Sequence, residues 1–112
     1  MKQGTRVHLW SSPTNQFPEV EAGMILRQIV EVGCSFSGNP QNAEIIIVDA
    51  SSGRAGLVEE VRARYKRIFL LVLVRQGSSG AARARYVEAG ANLVACMPAN
   101  PVGFRSLLNR IN

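Results

Sequence analysis

One aspartate, one histidine, one tryptophan and two cysteines in 112 residues leave little material for clustered-ligand chemistry. Asp49 is the only aspartate among eight acidic residues, so a site built from several aspartates is not expected. Cys34 and Cys96 lie far apart, with no CxxC or Cys/His spacing beside them, and read as small buried residues of a reducing compartment. His8 has no matched Ser/Asp or Cys partner in the sequence, which leaves neither a metal-ligand set nor a catalytic constellation, and no enzyme is expected. The apolar residues after Arg6 give way to Ser11 and Ser12 too soon for a signal-peptide core. No apolar run approaches the roughly eighteen residues of a membrane span. The chain also lacks a linker, a tail and any low-complexity tract. A cytoplasmic location is therefore the expectation.

What is present is one domain's worth of core. Hydrophobic residues make up 46% and charged residues 19%, with a mean hydropathy of +0.04, which excludes a disordered chain. The reading is a single domain over 1–112, with the amino-terminal part of a longer protein as an open alternative. The net charge of +5 and a pI near 10.0 point to nucleic acid or an acidic partner. That charge is local, because residues 54–85 hold Arg54, Arg62, Arg64, Lys66, Arg67, Arg75, Arg83 and Arg85 against Glu59 and Glu60. Arg62 and Lys66, four apart on one helix, are expected to point outward, with Arg83 and Arg85 on the next helix. Such a face meets phosphates in some proteins, but there is no recognition-helix motif, so a solvated face or an acidic protein partner is the better reading and nucleic acid is disfavoured.

Three unbroken apolar runs, Ile45–Val48, Ile68–Val74 and Leu93–Met97, have the character of strands buried on both faces of a parallel sheet. Arg6–Trp10 is a fourth strand and Cys34–Ser37 a short edge strand. Helical spacing runs between them. Ala22, Ile25, Leu26, Ile29 and Val32 mark a helix from about Thr14 to Val32, with Pro18 in its first turn and Gly33 as its stop. Leu57, Val58, Val61 and Tyr65 mark a second. A third covers Ala81–Ala89 before Gly90. Asn100-Pro101 opens a last helix carrying Phe104, Leu107, Leu108 and Ile111. The stretch between Phe36 and Ile45 holds only a turn around Gly38-Asn39-Pro40. Strand and helix thus alternate, giving an α/β doubly wound parallel sheet of five strands with a shortened second crossover.

In such sheets the site lies at the carboxyl ends of the strands, which selects Ser11, Ser12, Asp49, Ala50, Arg75, Gln76, Met97 and Pro98. The loops Ser51-Ser52-Gly53 and Gly77-Ser78-Ser79-Gly80 match no phosphate-cradling pattern. Arg-Ala-Arg-Tyr occurs at 62–65 and again at 83–86, but nothing around it repeats, so it marks two helices of similar composition.

The strand Ile45-Ile46-Ile47-Val48 ending in Asp49, the segment Glu88-Ala89-Gly90-Ala91-Asn92-Leu93-Val94 and the following Met97-Pro98 resemble the receiver domain of bacterial two-component response regulators. The resemblance runs over essentially the whole chain. It implies the flavodoxin-like strand order 2-1-3-4-5 and places Asp49 at the phosphoacceptor position. It sets Ser11 and Ser12 where the family has its magnesium-binding acidic pair, Arg75 at the switch hydroxyl, Met97 at the phosphate-contacting lysine and Leu93 at the switch aromatic.

Those departures matter physically. Magnesium is held by carboxylates, and phosphoryl transfer depends on cations that neutralise the moving charge. Serine hydroxyls and a thioether supply neither. The expectation is a degenerate pseudo-receiver, weakly or not phosphorylated, with Mg2+ bound only if the site is functional, and with Arg75 pairing Asp49 or else reaching to solvent. A genuine aspartyl-phosphate receiver at Asp49 and a basic nucleic-acid module remain the alternatives. The resemblance further implies protein partners, namely a histidine kinase, an output domain or a second copy. The usual docking face would comprise the last two helices and the last strand, with Arg83, Tyr86, Val87, Leu93, Phe104 and Arg105.

Overall fold

In the computed structural model, residues 4–10, 19–50, 55–75, 77–96 and 101–111 are described, apart from the side chains of 19–21, 55, 101 and 104. Strands β1 (Arg6–Leu9), β2 (Ser35–Phe36), β3 (Ile45–Asp49), β4 (Phe69–Val74) and β5 (Leu93–Cys96) pair in parallel in the order β2-β1-β3-β4-β5. This is the expected order. The helices are α1 (Glu19–Glu31), α2 (Ala55–Arg64), α3 (Gly80–Ala89) and α4 (Pro101–Asn109).

The apolar runs are unbroken because both faces of the sheet are covered. Side chains alternate along a strand, so β3 sends Ile45 and Ile47 to one face and Ile46 and Val48 to the other. The first set packs with Val7, Leu9, Leu71 and Leu73 beneath Ile25 and Ile29 of α1 and Leu107 and Leu108 of α4. The second packs with Leu70, Val72 and Val74 beneath Leu57, Val58 and Val61 of α2 and Tyr86 of α3. Each fully buried Leu or Ile contributes about 1.5–3 kcal/mol of transfer free energy, and the central strands are made almost wholly of such residues.

Local signals set the ends of the elements. Gly33 stops α1 with φ +88, and Ser79 caps α3 by accepting from the Ala82 N–H at 3.1 Å. The first helix is described only from Glu19, so Pro18 lies outside the described residues. Between β2 and β3 the chain makes a single 3-10 turn, Pro40–Asn42, capped by Asn39, whose Oδ1 accepts from the Gln41 N–H at 2.9 Å. No crossover helix forms there, as the short spacing predicts. Rings occupy that side of the sheet instead, with Phe36 against His8, His8 against Trp10 and Trp10 against Tyr65 at centroid distances of 6.4, 6.4 and 6.1 Å.

Candidate functional site

Asp49 is the last residue of the central strand β3 and only 4% exposed. Its register partner on β4 is Leu73. The next residue, Ala50, donates its N–H to the Leu73 carbonyl at 2.8 Å, and its own carbonyl accepts the Tyr86 hydroxyl at 3.2 Å. A bond from the middle of α3 therefore holds the backbone beside the acid. Burial pushes the Tyr86 phenol above its ordinary value, partly opposed by the Arg85 charge.

The structure does not form the expected Asp49–Arg75 pair. Arg75 is exposed, and the ion pairs among the described residues are Arg6–Glu44, Arg64–Glu60 and Arg105–Glu31. The reason is register. Arg75 lies two residues beyond Leu73, roughly 6.5 Å further along the strand direction. There the backbone turns away, with the Arg75 carbonyl accepting the Ser78 hydroxyl at 2.8 Å and Gly77 at φ +86. Ser11, Ser12, Gln76, Met97 and Pro98 lie outside the described residues. Leu93 pairs with Leu71 at the start of β5 and is half-buried.

The expected basic face is broken up. Arg62 points inward and donates five hydrogen bonds: Nε to the Gly90 carbonyl, Nη1 to the carbonyls of Tyr65, Lys66 and Ile68, and Nη2 to Asn92 Oδ1. Asn92 Oδ1 also accepts the Leu70 N–H at 2.8 Å, which ties the bracket to the start of β4. Arg83 is half-buried and donates to Cys96 Sγ at 2.6 Å. Arg64 pairs with Glu60 at 3.7 Å, while Lys66, Arg67 and Arg85 are exposed. The outward reading of Arg62 fails because the end of α2 offers carbonyls that no helical N–H satisfies, and a guanidinium is the group that can collect several of them.

Two further expectations change on the docking face, and one changes for a cysteine. Tyr86 is buried at 4% exposure, which removes it from the surface. Arg105 turns towards α1, with Nη2 2.7 Å from Glu31 Oε2 and Nε 3.2 Å from Gln28 Oε1. Cys96 is half-buried rather than buried, although both cysteines are free. Val87 does stand exposed, and the Phe104 side chain is outside the described set. Sequence reasoning missed the Arg62–Asn92 bracket and the Tyr86–Ala50 bond. The repeated Arg-Ala-Arg-Tyr was the available signal, since both begin at its first arginine or end at its last tyrosine.

The donor set does not fit a divalent cation in the manner of a receiver. Asp49 is the only aspartate of the chain, and among the described residues no three His, Cys, Asp or Glu side chains come together. Also among the described residues, no helix is long and apolar enough to cross a membrane.

Sheet order, covered faces and a carboxylate at the end of β3 together define a receiver-type, chemotaxis-regulator-like fold. Solved structures with this fold include an orphan response regulator of H. pylori (TM-score 0.70, 17% identity, covering 98% of this chain and 96% of that one). A response regulator of Burkholderia pseudomallei with a phosphorylated aspartic acid and a calcium ion gives a TM-score of 0.69 at 21% identity, covering 98% of this chain and 67% of that one. A candidate pilus assembly protein (CpaE) of Burkholderia thailandensis gives 0.70 at 11% identity, covering 97% of each chain. The sequence matches no protein-family model and no curated protein.

Proposed function

We propose that the chain is a receiver-like signalling module of the two-component phosphorelay kind that acts through protein–protein contact, with Asp49 weakly or not phosphorylated. The observation that carries this reading is the place of Asp49, buried at the end of the central strand of a receiver-type sheet, with no second aspartate in the chain. Phosphoryl transfer to a carboxylate needs charge neutralisation on the transferring oxygens, by a metal and by a cation in contact. Here the positions that would supply them hold Ser11, Ser12 and Met97, and Arg75 is exposed. What such a module retains is a rigid sheet that presents α3, β5 and α4 to a histidine kinase, an output domain or a second copy. A nucleic-acid role has less support, because Arg62 and Arg83 are spent on internal partners.

Incubation with acetyl phosphate and magnesium, followed by intact-mass measurement beside Asp49→Asn, tests the reading. The expected result is no mass increase in either protein. An increase in the unmodified chain that Asp49→Asn abolishes would establish a genuine phosphoacceptor.

A further inference from the structure

β2 is an edge strand of the sheet, and no crossover helix follows it. In a parallel ladder alternate residues turn both backbone groups to the neighbouring strand. Here Ser35 donates its N–H to the Thr5 carbonyl at 3.0 Å, and Ser37 donates its own to the Val7 carbonyl at 2.8 Å. Phe36 stands between them in register with Val7, so its N–H and carbonyl face away from β1, towards the open edge. Its side chain is 46% exposed with the ring stacked on His8, and Val30, on the helix that packs against β2, is 66% exposed. Natural sheet edges are commonly guarded by lysine or another charge. This one is not: no lysine or arginine stands between Arg27 and Arg54, and the exposed Glu31 and Glu44 are neutralised by Arg105 at 2.7 Å and Arg6 at 3.6 Å.

We infer that β2 pairs antiparallel with β2 of a second copy, joining two five-stranded sheets about a two-fold axis beside Phe36. The Phe36 N–H of each copy then donates to the Phe36 carbonyl of the other, and the two rings meet on one face of the joined sheet. Symmetry selects the occupant, because a donor and an acceptor turned outward on the same residue are self-complementary across a two-fold axis. Charge selects it too. The chain carries a net charge of +5, so a second copy is repelled wherever that charge is exposed. The β2 edge lies across the sheet from β5, against which α3 packs with its exposed Arg85. An acidic strand from another protein would find no cation to meet between Arg27 and Arg54. Pro40 opens the 3-10 turn four residues after Phe36 and ends the extended stretch, so the interface is small and the dimer weak. The pairing goes beyond the contact-module reading, since it uses neither the α3–β5–α4 face nor a phosphoryl group on Asp49.

The test is sedimentation equilibrium of the 112-residue chain from about 10 μM to about 1 mM, with amide NMR over the same range. The expected result is a reversible dimer whose formation shifts Ser35, Phe36 and Ser37 and slows hydrogen exchange at the Phe36 N–H. Added salt should leave the dimer as tight or tighten it, since screening removes only the repulsion between two positive chains. Phe36→Ala, which deletes the ring pair, should weaken it about five- to tenfold. Phe36→Pro should abolish it, and the edge tolerates the proline because the lost N–H faces away from β1. A chain that stays monomeric throughout the range would overturn the inference. So would a dimer whose shifts centre on α3 and β5, one that neither substitution weakens, or one that salt dissolves. None of these results touches the proposed state of Asp49, which the acetyl phosphate measurement reads separately.

Discussion

Residues 62–65 and 83–86 share one tetrapeptide, Arg-Ala-Arg-Tyr, and do opposite things. The first copy ends α2, where carbonyls beyond the last helical N–H are available, and Arg62 gathers those of Tyr65, Lys66 and Ile68 together with Gly90 and Asn92. The second copy sits inside α3, whose own ladder uses the local carbonyls, so Arg83 turns outward from its helix to a side chain, Cys96. The tyrosines diverge in the same way. Tyr65 packs its ring edge-on to Trp10, whereas Tyr86 is buried and spends its hydroxyl on Ala50. Position relative to the helix end, more than residue type, decides whether an arginine becomes scaffold or surface.

Substitutions at matched positions sharpen the contrast. Arg62→Ala removes a charged donor from five acceptors and should cost about 2–4 kcal/mol in urea unfolding, where Arg83→Ala should cost less than about 1 kcal/mol. Equal losses would erase the distinction between the two copies. Gly90→Ala should cost about 1–3 kcal/mol, because φ is +123 there and an added Cβ would lie 2.6 Å from Arg62 Cγ. A double-mutant cycle with Arg62→Ala should show the two losses to be less than additive, as one of the clashing groups is then gone. Tyr86→Phe should lose about 0.5–1.5 kcal/mol, and Tyr65→Phe less, since a ring contact survives removal of the hydroxyl.

The smallest effect is at high pH. Burial raises the Tyr86 and Cys34 pKa values above their ordinary 10.0 and 9.0. Each group therefore contributes stability that is fully present below its unfolded pKa and lost as pH rises through the raised value. Denaturation curves should weaken on going above about pH 9, and Tyr86→Phe should flatten the upper part of that fall.

The fold was legible because the strongest signals are periodic ones. Unbroken Ile/Leu/Val runs, helices of suitable spacing and Gly33 and Gly90 at helix ends lead directly to the observed sheet. The short gap before Ile45 likewise announced a crossover without a helix. Asp49 was legible as the end of a buried strand. Side-chain partners were not, because they depend on which carbonyl or thiol the fold brings near. Arg62 reaches Gly90 and Asn92 on a distant loop, and Arg75 was expected beside Asp49, although two residues of register carry it past the strand end. Composition likewise suggested one basic face over 54–85. Folding divides it among an internal bracket at Arg62, an Arg83 turned to Cys96, the Arg64–Glu60 pair and a few exposed side chains.

Asp49 stands buried at the end of the central strand of a receiver-type sheet, and the proposal that it is weakly or not phosphorylated can be checked at the residue itself. The most direct measurement follows the amide spectrum of the unmodified chain as magnesium and then acetyl phosphate are added, with Asp49→Asn as the reference. The resonances around Asp49, Ala50 and Tyr86 are expected to stay in place, and the two spectra to respond alike. Saturable shifts at those residues with magnesium, followed by a second set with acetyl phosphate that Asp49→Asn eliminates, would contradict it.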